Sequence, residues 1–176
     1  MLKIETQERL CISVTGEIPG ISMLTLDEVH SAQTAWGDGI VAIASAHSSG
    51  GDFVAIARNH VDTLYAYGIS KVLFKPTLAA VEQFRPDFES ALSYFVASNN
   101  ACLEDKGFAI KGWTKVRFEN SDVILSEDSA TAMGNYFFTT PEGDEVKVEY
   151  TFGYITDSEG NLRINLHHSS MPAMIE

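Results

Sequence analysis

Two rhythms of apolar residues divide the chain. Thr25-Leu26-Asp27-Glu28 reads as a capping box: the Thr25 side chain accepts from the Glu28 amide and Glu28 reaches back to the cap. Behind it Val29, Ala32, Trp36, Ile40 and Ile43 recur at three- and four-residue steps and predict a helix with one apolar stripe. Gly37 and Gly39 weaken it by about 1 kcal/mol each, and Ser48-Ser49-Gly50-Gly51 ends it. Asp52 can cap a second helix, with Phe53, Ile56, Ala57, His60, Val61, Leu64 and Tyr65 inward. Val72-Leu73-Phe74 predicts a short strand, ended by Lys75-Pro76. Pro86 fits the first turn of a third helix that turns Phe88, Leu92, Phe95 and Val96 inward.

After residue 110 the period becomes two. Residues 113 to 118 alternate, Val123-Ile124-Leu125 follows, and residues 132 to 140, 146 to 155 and 162 to 169 read as strands. Ser126-Glu127-Asp128, Pro141-Glu142-Gly143-Asp144 and Ser158-Glu159-Gly160-Asn161 are the turns between them. An antiparallel meander behind a helical N-terminal half predicts an α+β domain over 25–176. Residues 1–24 form an extension with a β-prone run at 10–14 and a turn at Gly16, Pro19 and Gly20.

Composition narrows the function without choosing it. A chain of 176 residues, 45% of them hydrophobic, buries one core. Twelve basic against 24 acidic side chains give a formal charge of -12, and no basic cluster exists. A nucleic-acid groove and an anionic membrane surface both need clustered cations, so neither is expected. Cys11 and Cys102 make no redox pair or metal knuckle; two reduced thiols are expected rather than one disulfide. The apolar stretch at 39–46 is far short of a membrane span, and Met1-Leu2-Lys3-Ile4-Glu5 carries no apolar leader, so a cytoplasmic protein is expected.

Most chemical motifs fail on context. Gly37-Asp38-Gly39-Ile40-Val41-Ala42 matches a dinucleotide pattern, but a capped helix precedes it where a strand is needed. His30 and His47 form no local metal motif, and His60 falls on an apolar helix face, as a core histidine does. No metal and no cofactor are expected.

His167-His168 is the one concentrated feature. On a strand, neighbours point to opposite faces, so the pair cannot share one ion. Alternation groups His167 with Arg163, Asn165 and Ser169, and His168 with Leu162, Ile164 and Leu166. The second row reads as core, with His167 hydrogen-bonded to a neighbouring strand or loop; alternatively one imidazole lines a cavity as ligand donor or general base. Tyr150, Phe152 and Tyr154 share a face with Val146 and Val148, either as core or with a hydroxyl reaching a cavity. Asn135 lies opposite in face to Gly134 and Tyr136, and Gly134 signals a bend or a close backbone approach.

The element order resembles the nuclear transport factor 2-like, cystatin-like cone fold. Asn165-Leu166-His167-His168-Ser169-Ser170-Met171-Pro172 resembles the ending of bacterial proteins similar to the calcium/calmodulin-dependent protein kinase II association domain. Gly134-Asn135-Tyr136-Phe137-Phe138 and Val148-Glu149-Tyr150-Thr151-Phe152-Gly153-Tyr154 resemble their two preceding strands, and Trp36 occupies the place of a tryptophan in their first helix. The resemblance spans about residues 25 to 174 and implies a strongly curved sheet wrapped around the N-terminal helices, with a cavity at its open end. That fold hosts isomerases, dehydratases, polyketide cyclases and non-enzymatic association domains.

The kinase domain's pocket arginines are missing here, which implies a neutral or weakly polar ligand. The residues expected to line the cavity are Trp36, Tyr65, Trp113, Asn135, Tyr150 and His167, with His168 as the alternate imidazole. The first expectation is a small-molecule-binding domain that pairs with a second copy of itself. The competing one is an acid-base enzyme with His167 or His168 as base and Tyr150 as donor; a third is a structural module with a filled cavity.

Overall fold

A computed structural model describes residues 23–174. The β-prone run at 10–14, its following turn and Cys11 lie outside the described residues. The elements are α1 (Leu26–Ser49), α2 (Phe53–Leu64), β1 (Leu73–Lys75), α3 (Phe88–Val96), β2 (Lys115–Leu125), β3 (Ser129–Thr139), β4 (Glu145–Thr156) and β5 (Leu162–Ser170). They build an α+β cone whose single sheet runs β1-β5-β4-β3-β2. Strands β2 to β5 form the expected antiparallel meander, while β1 lies parallel to β5 and makes the sheet mixed. That parallel pairing sets Phe74 opposite His167 and Lys75 opposite His168.

Local chemistry fixes the helices. The α1 capping box forms: Thr25 Oγ accepts the Glu28 amide at 3.3 Å, and the Thr25 amide donates to the Glu28 carboxylate at 2.7 Å. Gly50 ends the helix at φ 74, a left-handed backbone that glycine adopts without strain. The third helix starts at Phe88, two residues after the Pro86 expected in its first turn. Asp87 is its cap, receiving the Ser90 amide at 2.8 Å, so Pro86 lies just outside. Gly39 has a packing reason, because a Cβ there lies 2.1 Å from His60 Nδ1.

The helices cover the concave face of the sheet. Trp36 sits at the centre of that core, with the rings of Tyr136 and Phe152 each 5.6 Å away and those of His167 and Phe118 at 5.7 and 6.0 Å. Two register shifts shape the sheet. The first, between Asn120 and Asp122, lies beside Gly134, where a Cβ is 2.1 Å from the Glu119 carbonyl oxygen. This is the close approach that glycine signalled. The second falls between Gly153 and Tyr154, leaving Asn165 as the extra residue of β5.

That second bulge corrects the reading of the histidine pair. An extra residue reverses strand parity, so Ile164 turns inward together with His167 and Ser169 rather than with His168. His167 is the core histidine at 2% exposure, and His168 is exposed on the convex face. Also on the convex side, a row runs across the sheet from Ile124 through Thr131, Gly153 and Leu166 to Leu73.

Candidate functional site

β5 carries His167 and Ser169 two residues apart on the concave face, and the rest of the site gathers around that imidazole. Nδ1 lies 2.8 Å from the Tyr65 hydroxyl at the end of α2, and Nε2 lies 2.8 Å from Ser169 Oγ. Tyr136 of β3 sets its hydroxyl 2.5 Å from Ser169 Oγ and 3.4 Å from Nε2. Trp36 of α1 donates its indole N–H to the Tyr65 oxygen at 3.0 Å. Phe74 stacks on the imidazole with centroids 4.4 Å apart, and Phe152 meets it edge-on at 4.3 Å. Polar atoms thus line both ends of the ring while its faces are apolar.

Burial dominates the electrostatics. It holds His167 well below the ordinary histidine range, with His168 and His60 adding to the push. It raises the Tyr65 and Tyr136 phenols above their usual range, so all three groups are neutral near pH 7. Thr77, just beyond β1, is a neighbour of the Tyr136 and Tyr94 hydroxyls. Thr77 is half-buried whereas Trp36, Tyr65, Tyr136, His167 and Ser169 are buried, so it is the end of the row nearest solvent.

The segment from 76 to 86 shapes that end. The buried Arg85 guanidinium lies 2.7 Å from Asp105, 2.8 Å from Cys102 Sγ and 2.5 Å from the Glu82 carbonyl. The Glu104 carboxylate accepts the amides of Ala80 at 2.9 Å, Val81 at 3.0 Å and Glu82 at 2.7 Å. Val81 and Phe84 between these anchors are exposed. Among the described residues no group of three or more His, Cys, Asp or Glu side chains is placed to hold a metal ion.

Of the residues expected to line a cavity, three are brought together: Trp36, Tyr65 and His167. The other three are elsewhere. Trp113 donates to the Phe108 carbonyl at 2.8 Å and packs against Phe138, because β2 begins only after it. Asn135 pairs with Glu149 across the convex face and lines an open outer groove of about 360 Å³ with His168 and Ser170. Tyr150 is inward, but Gln33 at 3.0 Å and Asn120 hold its hydroxyl, so it is no donor to His167. His168 faces away from the cone interior. His60 is the core histidine expected of it, with Nε2 lacking a partner.

Ser169, Tyr136, Thr77 and Tyr94 were missed as site residues. The period-two spacing of His167 and Ser169 was a usable signal; Thr77 had none, since only the parallel β1–β5 pairing brings its loop near. A family profile described as metal-independent carbonic anhydrase matches residues 27–171. A metal-independent carbonic anhydrase from Nostoc sp. is 41% identical over 152 residues, 85% of this chain and 74% of that protein. The chain belongs to the metal-independent carbonic anhydrase family.

Structures agree. An iota-carbonic anhydrase from a cyanobacterium, crystallised with bicarbonate, superposes with a TM-score of 0.84 at 39% identity, covering 87% of this chain and 95% of that one. A Xanthomonas campestris protein assigned to the calcium/calmodulin-dependent protein kinase II association domains gives 0.60 at 22%, over 90% and 95% of the chains. A nuclear transport factor 2-like protein from Salmonella enterica gives 0.53 at 11%, over 85% and 92%. At those identities the last two share the fold alone. The resemblance to association domains therefore held for the cone, while membership lies with the metal-independent carbonic anhydrases.

Proposed function

We propose that this metal-independent carbonic anhydrase family member interconverts carbon dioxide and bicarbonate, CO2 + H2O ⇌ HCO3⁻ + H⁺, at the His167 row. The observation that carries the reading is the convergence of the Ser169 and Tyr136 hydroxyls on His167 Nε2 within apolar walls. The rings of Phe74, Phe152 and Trp36 suit a linear, apolar gas, and the hydroxyls of Ser169, Tyr136 and Thr77 supply donors for carboxylate oxygens as charge develops. An anion held by neutral O–H donors needs no arginine. Missing pocket arginines therefore do not point to a neutral ligand, and the cyanobacterial relative's bicarbonate supports the anionic one.

The test is CO2 hydration followed by stopped-flow with a pH indicator, on protein pretreated with a chelator. Acceleration over buffer that survives chelation is expected, with S169A and T77V each lowering kcat/KM at least about tenfold, in line with loss of one transition-state donor. Chelated wild-type protein no faster than buffer overturns the reading. Self-association is proposed alongside it, through the convex face, where Leu73, Ile124 and Met133 are 67%, 70% and 57% exposed.

A further inference from the structure

The polar contacts of the His167 row have a direction, and the direction starts at an indole. An indole N–H only donates. Trp36 Nε1 gives its hydrogen to the Tyr65 oxygen at 3.0 Å. Burial keeps the Tyr65 phenol protonated, so its single proton goes to its remaining partner, His167 Nδ1, at 2.8 Å. A proton on Nδ1 instead sets two hydrogens against each other, or turns the phenol proton into a core that offers it no acceptor.

Burial also keeps His167 neutral. With Nδ1 accepting, the one ring proton lies on Nε2 and is donated to Ser169 Oγ at 2.8 Å. The Ser169 proton then points to Tyr136 at 2.5 Å, which leaves the Tyr136 proton directed away from Ser169. All five members from Trp36 to Tyr136 are at most 2% exposed, so water does not scramble the order.

We propose that Trp36 is a positioning residue: through Tyr65 it fixes His167 as the Nε2-protonated tautomer, so that the row presents protons toward Tyr136. His167 is then a donor to Ser169 and not a base that withdraws its proton. The row meets an oxygen-rich small molecule with donors. This last step rests on the carbonic anhydrase reading; the tautomer does not.

Two-bond ¹H–¹⁵N correlation spectra of the whole protein with ¹⁵N-labelled histidine read the tautomer directly, with the His167 signals assigned by their loss in H167Q. Wild type is expected to show His167 protonated on Nε2 alone at neutral pH. W36F frees the Tyr65 hydroxyl to turn, and Y65F removes it; in either the Nδ1-protonated population rises about tenfold or more. F118L, which removes a ring packed 6.0 Å from Trp36 and 5.5 Å from Tyr136 but taking no part in the row's hydrogen bonds, lowers stability and leaves the tautomer unchanged. A wild-type His167 protonated on Nδ1, or an unchanged tautomer in both W36F and Y65F, overturns the proposal. Because the spectra need no turnover, a protein with the expected tautomer and no CO2 hydration removes the carbonic anhydrase reading and keeps the assignment.

Discussion

Two histidines are held neutral in this core by different means. His167 has a partner on each nitrogen. His60 leaves Nε2 without one among the rings of Trp36 and Phe95, and burial alone pushes it down to about 3. The unfolded chain protonates His60 near its ordinary value of 6.5, while the folded chain resists until about 3. Its contribution is therefore full above that ordinary value and shrinks as pH falls toward about 3. His167 acts in the same direction, and each histidine adds a slope of up to about 1.4 kcal/mol per pH unit. Urea midpoints measured at pH 7 and pH 5 are expected to fall steeply, and in H60L by roughly half as much. H60L is also expected to match or exceed wild type at pH 7, because an unpartnered buried polar atom costs about 1–3 kcal/mol. An undiminished acid slope in H60L counts against this account.

The same imidazole decides how α1 and α2 meet. An exposed helical Gly→Ala change ordinarily stabilises by about 1 kcal/mol. G39A is expected to do the opposite, destabilising by about 1–3 kcal/mol, because its methyl meets the His60 ring at 2.1 Å. A double-mutant cycle with H60A, read by denaturation, is expected to recover most of that loss. Another element is pinned by one side chain: E104Q weakens the acceptor for the amides of residues 80 to 82, and those amides are expected to exchange hydrogen faster while core protection holds. These contacts mark where the sequence stops being legible. The helices and the meander follow from periodicity, caps and turns, each local, and the cone from the family resemblance. The faces of β5 did not, because one bulged residue reversed the parity that alternation gives Ile164 and His167. The same limit governs the candidate site: Trp36, Tyr65 and His167 were expected from their residue type and the resemblance, whereas Thr77 depends on β1 pairing with β5, Leu73 opposite Leu166.

At the scale of the molecule, among the described residues, one helix layer covers one face of the sheet and leaves the other exposed. The convex row from Ile124 to Leu73 ends in side chains 70% and 67% exposed, with Met133 at 57% in the neighbouring row. A twofold pairing of two such faces buries the rows against each other. It also brings together two chains of formal charge -12, whose repulsion opposes association. Salt weakens that repulsion, since the screening length falls from about 30 Å at 0.01 M to about 10 Å at 0.1 M. Light scattering at micromolar protein is therefore expected to report a mass of two chains, with tighter association at the higher salt. M133K and L73K are expected to give folded monomers, because neither side chain belongs to the core. A single-chain mass at both salt concentrations removes the interface; a dimer that loosens as salt rises replaces apolar pairing with ion pairs across the face, where Arg117 already bridges Glu119 and Glu145.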